Sequence, residues 1–352
     1  MPQHAVHQPL ARQVPETLAT VFGIAAADIE VVRAGHAART DMRITALGRT
    51  FVVELKQASS AAAIAFAAKQ VRERTRQMHP PAIPLVAVPF MGDVGRRVCA
   101  EAGVGWFDLS GNAHIVARGL HIHVEGRPNR FKSAGRPANV FAPKSARVAR
   151  WLLIHADEYC TQREIARATG MDEGHVSRIV ARLEQEGFLV RGERSAVRPR
   201  DPALLLEAWR ERYQFSKHYI LRGHVAARSG EALLRMIAEV FANEQVEHAV
   251  TGLAAAWAFT HFAAFQLVTI YLAEDPAPAA VQRLGFREEP RGANLWLAVP
   301  NDAGVFQGAT LEEGIRCVHP VQVYLDLKEQ PERAAEAAER LRAERLTWSR
   351  HA

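Results

Sequence analysis

Asp41, Glu54 and Lys56 are spaced as residues that hold a metal ion against a phosphate group. Twelve residues separate the aspartate from the glutamate, and Leu55 alone separates Glu54 from Lys56. Alternating apolar and polar residues predict strands over 38–46 and 50–55, joined by the turn Leu47-Gly48-Arg49. A hairpin of that kind sets the two carboxylates side by side. Paired carboxylates (Asp41 and Glu54) hold a hard divalent cation such as Mg2+, and a lysine beside them activates water or stabilises phosphoryl charge. Gln70 falls on the helix predicted over 60–78. The competing reading is a fold without catalysis, because Glu-x-Lys at a strand end also arises by chance.

A second set of residues suits recognition rather than catalysis. Thr161-Gln162-Arg163-Glu164 has the form of a capping box and opens a short helix that Gly170 ends. Asp172 can cap the next helix, 173–184, where Val176, Ile179, Val180 and Leu183 recur at helical spacing as a buried stripe. The opposite face carries Gly174, His175, Ser177, Arg178, Ala181 and Arg182. Small residues allow close approach to a groove, and arginine pairs with guanine or phosphate. A strand from Phe188, a turn over 192–195 and a strand at 196–198 then form a wing bearing Arg191, Arg194, Arg198 and Arg200, suited to phosphate or minor-groove contact.

These sets need separate supports. The chain has 352 residues, 48% apolar and 23% charged, which excludes dominant disorder and predicts two or three domains. Residues 1–125 read as an α/β domain: a short helix at 15–22, the hairpin, the helix over 60–78, a buried strand at 83–89, a helix at 94–102, and strands at 105–108, 113–116 and 121–125. Residues 126–143 read as a basic Gly/Pro/Arg linker. Eight Lys or Arg stand between Arg118 and Arg150 against one acid, Glu125. They are either a solvated stretch or a row of cations for phosphates. Residues 144–202 are the helical recognition region. Residues 203–352 are again α/β, with helices at 201–215, 230–243, 278–284 and 331–346 and strands at 294–299 and 321–327.

Net charge is +6 and unevenly placed: +7 over 1–143, +2 over 144–202 and −3 over 203–352. An anionic partner is expected on the first two parts. Residues 249–273 contain no charged side chain, but Gly252, His261 and Gln266 favour a buried helix followed by a strand over a membrane span. The N-terminus has no apolar leader segment, and three scattered cysteines form no disulfide framework, so a reducing cytoplasm is expected. His121 and His123 share a strand face, and no histidine has a convincing metal-ligand spacing.

Three resemblances follow from these residues. The stretch over 145–200, above all Val176–Val190, resembles the winged helix-turn-helix of bacterial regulators. The Asp41/Glu54/Lys56 pattern with Gln70 resembles the PD-(D/E)xK nuclease core, departing from it where Thr40 replaces proline. The string Asp108-Leu109-Ser110-Gly111-Asn112-Ala113, the Thr251-Gly252-Leu253-Ala254-Ala255 segment and the His319–Leu327 segment with the helix after it are similar to AbiEi-family antitoxins, transcriptional regulators of type IV toxin–antitoxin systems. That similarity spans roughly residues 30–345.

It implies a multidomain α/β and α+β chain: a restriction-endonuclease-like α/β domain, a winged helix-turn-helix and a C-terminal nucleotidyltransferase-like α/β domain. It also implies a repressor of its own operon that binds double-stranded DNA. A nucleotidyltransferase-type toxin would be its cognate partner, and the C-terminal domain would serve that contact or self-association as a homodimer. Nucleotidyl transfer itself is not expected, because no Asp-x-Asp pair follows Gly252 to hold magnesium. The resident cofactor is none, with Mg2+ entering only if the hairpin is active. The alternatives are a metal-dependent DNA endonuclease using Asp41, Glu54 and Lys56, and a protein that binds a toxin directly.

Overall fold

A computed structural model describes residues 7–33, 41–76, 78–131, 139–276 and 278–348. The chain divides into two compact units, one of residues 1–138 with 184–188, the other of 139–183 with 189–352.

The first unit is built on a seven-stranded sheet whose strands lie in sequence order. These are β1 (Glu30–Arg33), β2 (Asp41–Ala46), β3 (Arg49–Leu55), β4 (Ile83–Val88), β5 (Gly105–Asp108), β6 (Ala113–Ala117) and β7 (Leu120–Val124). The three central strands, β3 to β5, are parallel, and antiparallel pairs flank them on both sides. Helix α2 (Ala61–Arg76) connects β3 to β4, and α3 (Asp93–Ala102) connects β4 to β5. Strand alternation sorts the core. Phe51, Val53, Leu55, Leu85 and Phe107 pack with Val14 and Leu18 of α1 (His7–Phe22). Val52, Val86, Val88 and Trp106 pack with Ile64, Ala67 and Val71 of α2. The first helix is longer than the 15–22 expected: Pro15 lies inside it, and apolar residues upstream of the proline extend the buried stripe.

Asp108 and Asn112 fasten the turn after β5. Asp108 accepts from the backbone N–H of Asn112 (2.9 Å) and Met91 (3.1 Å) and from Asn112 Nδ2 (2.9 Å). Asn112 in turn pairs with both the N–H and the C=O of Arg127. The start of the expected linker is thus held to the domain, whereas Lys132 and Arg136 lie outside the described residues.

The second unit begins with α4 (Ala146–Ile154), α5 (Gln162–Thr169) and α6 (Glu173–Gln185), then the ribbon β8 (Leu189–Arg191) and β9 (Val197–Pro199). Helix α7 (Pro202–Arg212), capped by Asp201, leads out of it. A second sheet follows, of β10 (Tyr219–His224), β11 (His248–Thr251), β12 (Val268–Leu272), β13 (Arg287–Glu288), β14 (Leu295–Val299), β15 (Thr310–Glu312) and β16 (Ile315–Cys317). Its order is β13-β10-β14-β12-β11-β16-β15. Its helices are α8 (Gly230–Asn243), α9 (Gly252–Thr260), α10 (Pro278–Arg283), α11 (Pro320–Asp326) and α12 (Ala334–Arg345).

Two expectations are corrected here. The strand expected over 321–327 is helix α11. His319 Nδ1 accepts from the Val321 N–H, Pro320 occupies the first turn, and all seven residues are buried. With every side chain inside the core, no helical period remains to be read. Residues 249–273 form strand, helix and strand rather than helix and strand, because His248–Thr251 pairs with β12 before α9 begins. No helix among the described residues is long and apolar enough to cross a membrane.

Candidate functional site

The recognition region forms from local signals. The Thr161 hydroxyl accepts from the Glu164 N–H (3.2 Å), and Glu164 Oε2 accepts from the Thr161 N–H (2.7 Å), a complete capping box. Gly170 ends α5 in the left-handed region at φ 62°. Asp172 Oδ1 accepts from the His175 N–H (3.0 Å) and caps α6. Val176, Ile179, Val180 and Leu183 are buried, which orients the rest of the helix outward. Ser177 and Arg178 are exposed, and His175 and Arg182 are half-buried on that outward side. Arg178 Nε donates to Gly174 O (3.2 Å), which lays its side chain back along the helix.

In the wing, Arg191, Arg194 and Arg200 are exposed. Arg194 and Ser195 take positive φ at the wing tip (51° and 61°). The Arg198 guanidinium, also expected at the DNA, lies over the Tyr159 ring at 4.6 Å. A Cβ on Gly192 would stand 2.6 Å from the same ring, so this glycine lets the wing close on Tyr159. Sequence reasoning passed over Tyr159. Its only signal in the sequence is an aromatic residue two positions before a helix cap.

Behind the recognition helices lies a buried polar centre that joins α4 to the second sheet. Arg150 is buried; its Nη2 donates to Gln322 Oε1 (2.5 Å), and the guanidinium lies over the Trp209 ring at 5.0 Å. Gln322 Nε2 donates to Asp326 Oδ1 (2.7 Å). Asp326 also accepts from the hydroxyls of Tyr213 (2.5 Å), Tyr271 (3.0 Å) and Thr251 (2.5 Å). With both tyrosines donating to Asp326, His218 Nε2 must donate to them, leaving Nδ1 to accept from the Asn301 N–H (3.2 Å). His218 is therefore the neutral Nε2–H tautomer, and burial lowers its pKa to about 4. Burial raises Asp326 to about 6 against the hydrogen bonds that favour its ionised form. Arg147 holds Asp302 with two donors (2.7 and 2.9 Å). Arg147 and Arg150 are therefore engaged inside the fold, and neither reading of the basic stretch between Arg118 and Arg150 applies to them. Arg118, Arg127, Arg130 and Lys144 are exposed.

The acidic hairpin is assembled as its spacing predicts: Asp41 stands directly opposite Glu54 in the β2–β3 register. The Asp41 side chain lies outside the described residues. Glu54 is 2% exposed. Lys56 Nζ donates to its Oε1 (2.7 Å), and Arg74 Nη1 donates to its Oε2 (2.8 Å). Gln70 Oε1 accepts from Lys56 Nζ (3.4 Å). Glu54, Lys56 and Gln70 converge, and Arg74, one turn beyond Gln70, is the member that spacing did not reveal. Both oxygens of Glu54 are already bound by cations. A divalent ion would have to displace one of them, and no group of three or more ligand residues that could hold a metal occurs among the described residues.

The helices, capped turn and basic wing define a winged-helix DNA-binding protein. Residues 142–198 match the MarR family, and residues 199–347 match the family described as transcriptional regulator, AbiEi antitoxin, type IV TA system. The C-terminal region is thus similar to the AbiEi antitoxins, and the two matches together support a DNA-binding transcriptional regulator of a type IV toxin–antitoxin system. No curated protein and no solved structure matches it. Residues 1–141 lie outside both family matches.

Proposed function

We propose that this regulator represses its own operon by placing α6 in the major groove of its operator, with the wing on the flanking backbone. The observation that carries this reading is the outward face of α6. His175, Ser177, Arg178 and Arg182 stand opposite a fully buried apolar stripe, and Gly174 and Ala181 permit close approach. Arg178 and Arg182 read base edges, while Arg191, Arg194 and Arg200 hold phosphates. Arg198 stiffens the wing through Tyr159 and reaches DNA only by leaving that ring.

The organisation proposed is a nuclease-like domain over 1–125, a connecting segment over 126–143, the winged helix over 144–202 and a nucleotidyltransferase-like domain over 203–352. The antiparallel–parallel–antiparallel sheet of the first unit, with Asp41 opposite Glu54, supports a restriction-endonuclease ancestry. The ion pairs on Glu54 support a core that no longer cuts DNA. In the last domain Asp326 is committed to four hydrogen bonds inside the fold, which supports a scaffold that does not transfer nucleotides. A cognate toxin of nucleotidyltransferase type and a homodimer on a two-fold operator complete the proposal.

The test is incubation with the chain's own upstream DNA, with and without Mg2+ or Mn2+, beside Glu54→Ala. Retarded and uncut DNA is expected in every lane. Metal-dependent cleavage lost in the variant would replace this reading with the endonuclease. A neighbouring gene product that co-purifies would support direct toxin binding.

A further inference from the structure

His114, His121 and His123 share one face of the β6–β7 hairpin, the side on which α2 and α3 pack. His114 and His123 face each other in register, and His121 stands two residues away from His123. Trp106 is the partner of His114 on β5, so Trp106, His114 and His123 form a row across three strands. Side chains are held along such a row by the pleat, not by flexible loops.

The two facing imidazoles bring Nδ1 to Nδ1 at 3.1 Å. Zinc–imidazole bonds of about 2.0–2.1 Å set two nitrogens of one tetrahedral ion about 3.3 Å apart, and neighbouring positions at a right angle about 2.9 Å apart. The observed separation lies between these two edges. Nδ1 coordination leaves Nε2 protonated on each ring. On His123 that nitrogen faces Glu125 Oε2 at 3.7 Å, and Arg96 holds the other oxygen of Glu125 at 2.9 Å. A carboxylate behind the second ring nitrogen is the usual support for a metal-bound histidine.

We infer that His114 and His123 form a chelating site for a borderline divalent transition metal of the zinc, nickel or copper(II) class, on the β6–β7 face of the N-terminal unit. Neutral imidazole suits these ions, whereas Mg2+ and Ca2+ take oxygen ligands. Water or an external ligand fills the other positions, since no three-residue group is preformed among the described residues. His121 lies beside the pair, its ring centroid 6.0 Å from that of His114. This site is separate from the Glu54 centre and independent of the DNA-binding reading.

The experiment uses the full chain. Zn2+ is titrated by calorimetry, and Cu2+ by tryptophan fluorescence, with Trp106 as the nearby reporter. The expected result is one saturable equivalent of Zn2+ and quenching by Cu2+. Both are lost in His114→Ala and in His123→Ala and kept in His261→Ala, a histidine of the other unit. Trp106→Phe removes most of the quenching while calorimetric binding persists. His123 is exposed, so its variant keeps the fold, which circular dichroism verifies. Absence of saturable Zn2+ binding, or binding that survives in both His114→Ala and His123→Ala, overturns the inference and leaves the pair as a cross-strand hydrogen bond.

Discussion

In the proposed reading, base recognition turns on Arg178 and Arg182. An arginine that pairs with a base edge contributes about 1–3 kcal/mol of discrimination. Arg178→Ala is therefore expected to weaken operator binding by roughly 10–100-fold, with a smaller loss on unrelated DNA; titration on both DNAs measures the difference. Arg194→Ala should instead weaken binding to both alike and reduce the salt slope by about one ion. Inside the second unit, Arg150 and Asp326 carry stability rather than recognition. Arg150→Ala leaves Gln322 and Asp326 without their cationic neighbour and should cost about 3–5 kcal/mol in urea unfolding; Arg150→Met, which keeps the volume, should cost less. Asp326 titrates near 6 in the folded chain against an ordinary 3.8. The native state therefore binds this proton more tightly than the unfolded chain. Its stabilising contribution is full below about 3.8 and is lost as pH rises through about 6. The difference in unfolding free energy between wild type and Asp326→Asn, measured from pH 4 to 7, should follow that curve; a difference independent of pH would refute the assignment.

Elements announce themselves when their signals are local. The Thr161 box, the Asp172 cap and the Val176–Leu183 stripe lie within one short stretch, and α5 and α6 match their expected ranges closely. Thr161→Ala removes the box and should cost about 1 kcal/mol, read as a lowered thermal midpoint with α5 destabilised against α6. Tyr159→Ala should free Arg198 and loosen the wing, raising hydrogen exchange over 191–198 more than over α6. Where signals are not local, reading failed. Helix α11 reads as a strand in sequence because Val321, Val323 and Leu325 alternate and all are enclosed, so burial gives no face to distinguish. Strand β10 carried Gly223, whose missing side chain admits Phe286 and the Arg287 carbonyl, and its polar ends hid the pattern. The Glu54 centre was legible in three residues that share a hairpin and one on the next helix. Arg74 was not, since an arginine on a basic helix looks like any other surface cation. The Arg150–Gln322–Asp326 centre could not be read at all, because its members come together only when α4 packs on α11.

At the scale of the whole molecule, charge and chemistry are distributed between two units. The surplus of +7 and +2 falls before residue 203, and the −3 falls on the antitoxin region. DNA is expected to engage the basic part, and affinity should fall steeply with salt. The buried Arg150–Gln322–Asp326 centre ties the winged helix to the antitoxin region within one unit. The central claim is that this chain binds its own operator through α6 and leaves it intact. The most direct measurement is electrophoretic mobility of the upstream DNA with wild type, Arg178→Ala/Arg182→Ala and Glu54→Ala, each with and without Mg2+. Wild type and Glu54→Ala should give specific, uncut, retarded DNA, and the double variant none. Equal retardation by the double variant, or Mg2+-dependent cutting that Glu54→Ala abolishes, would contradict it.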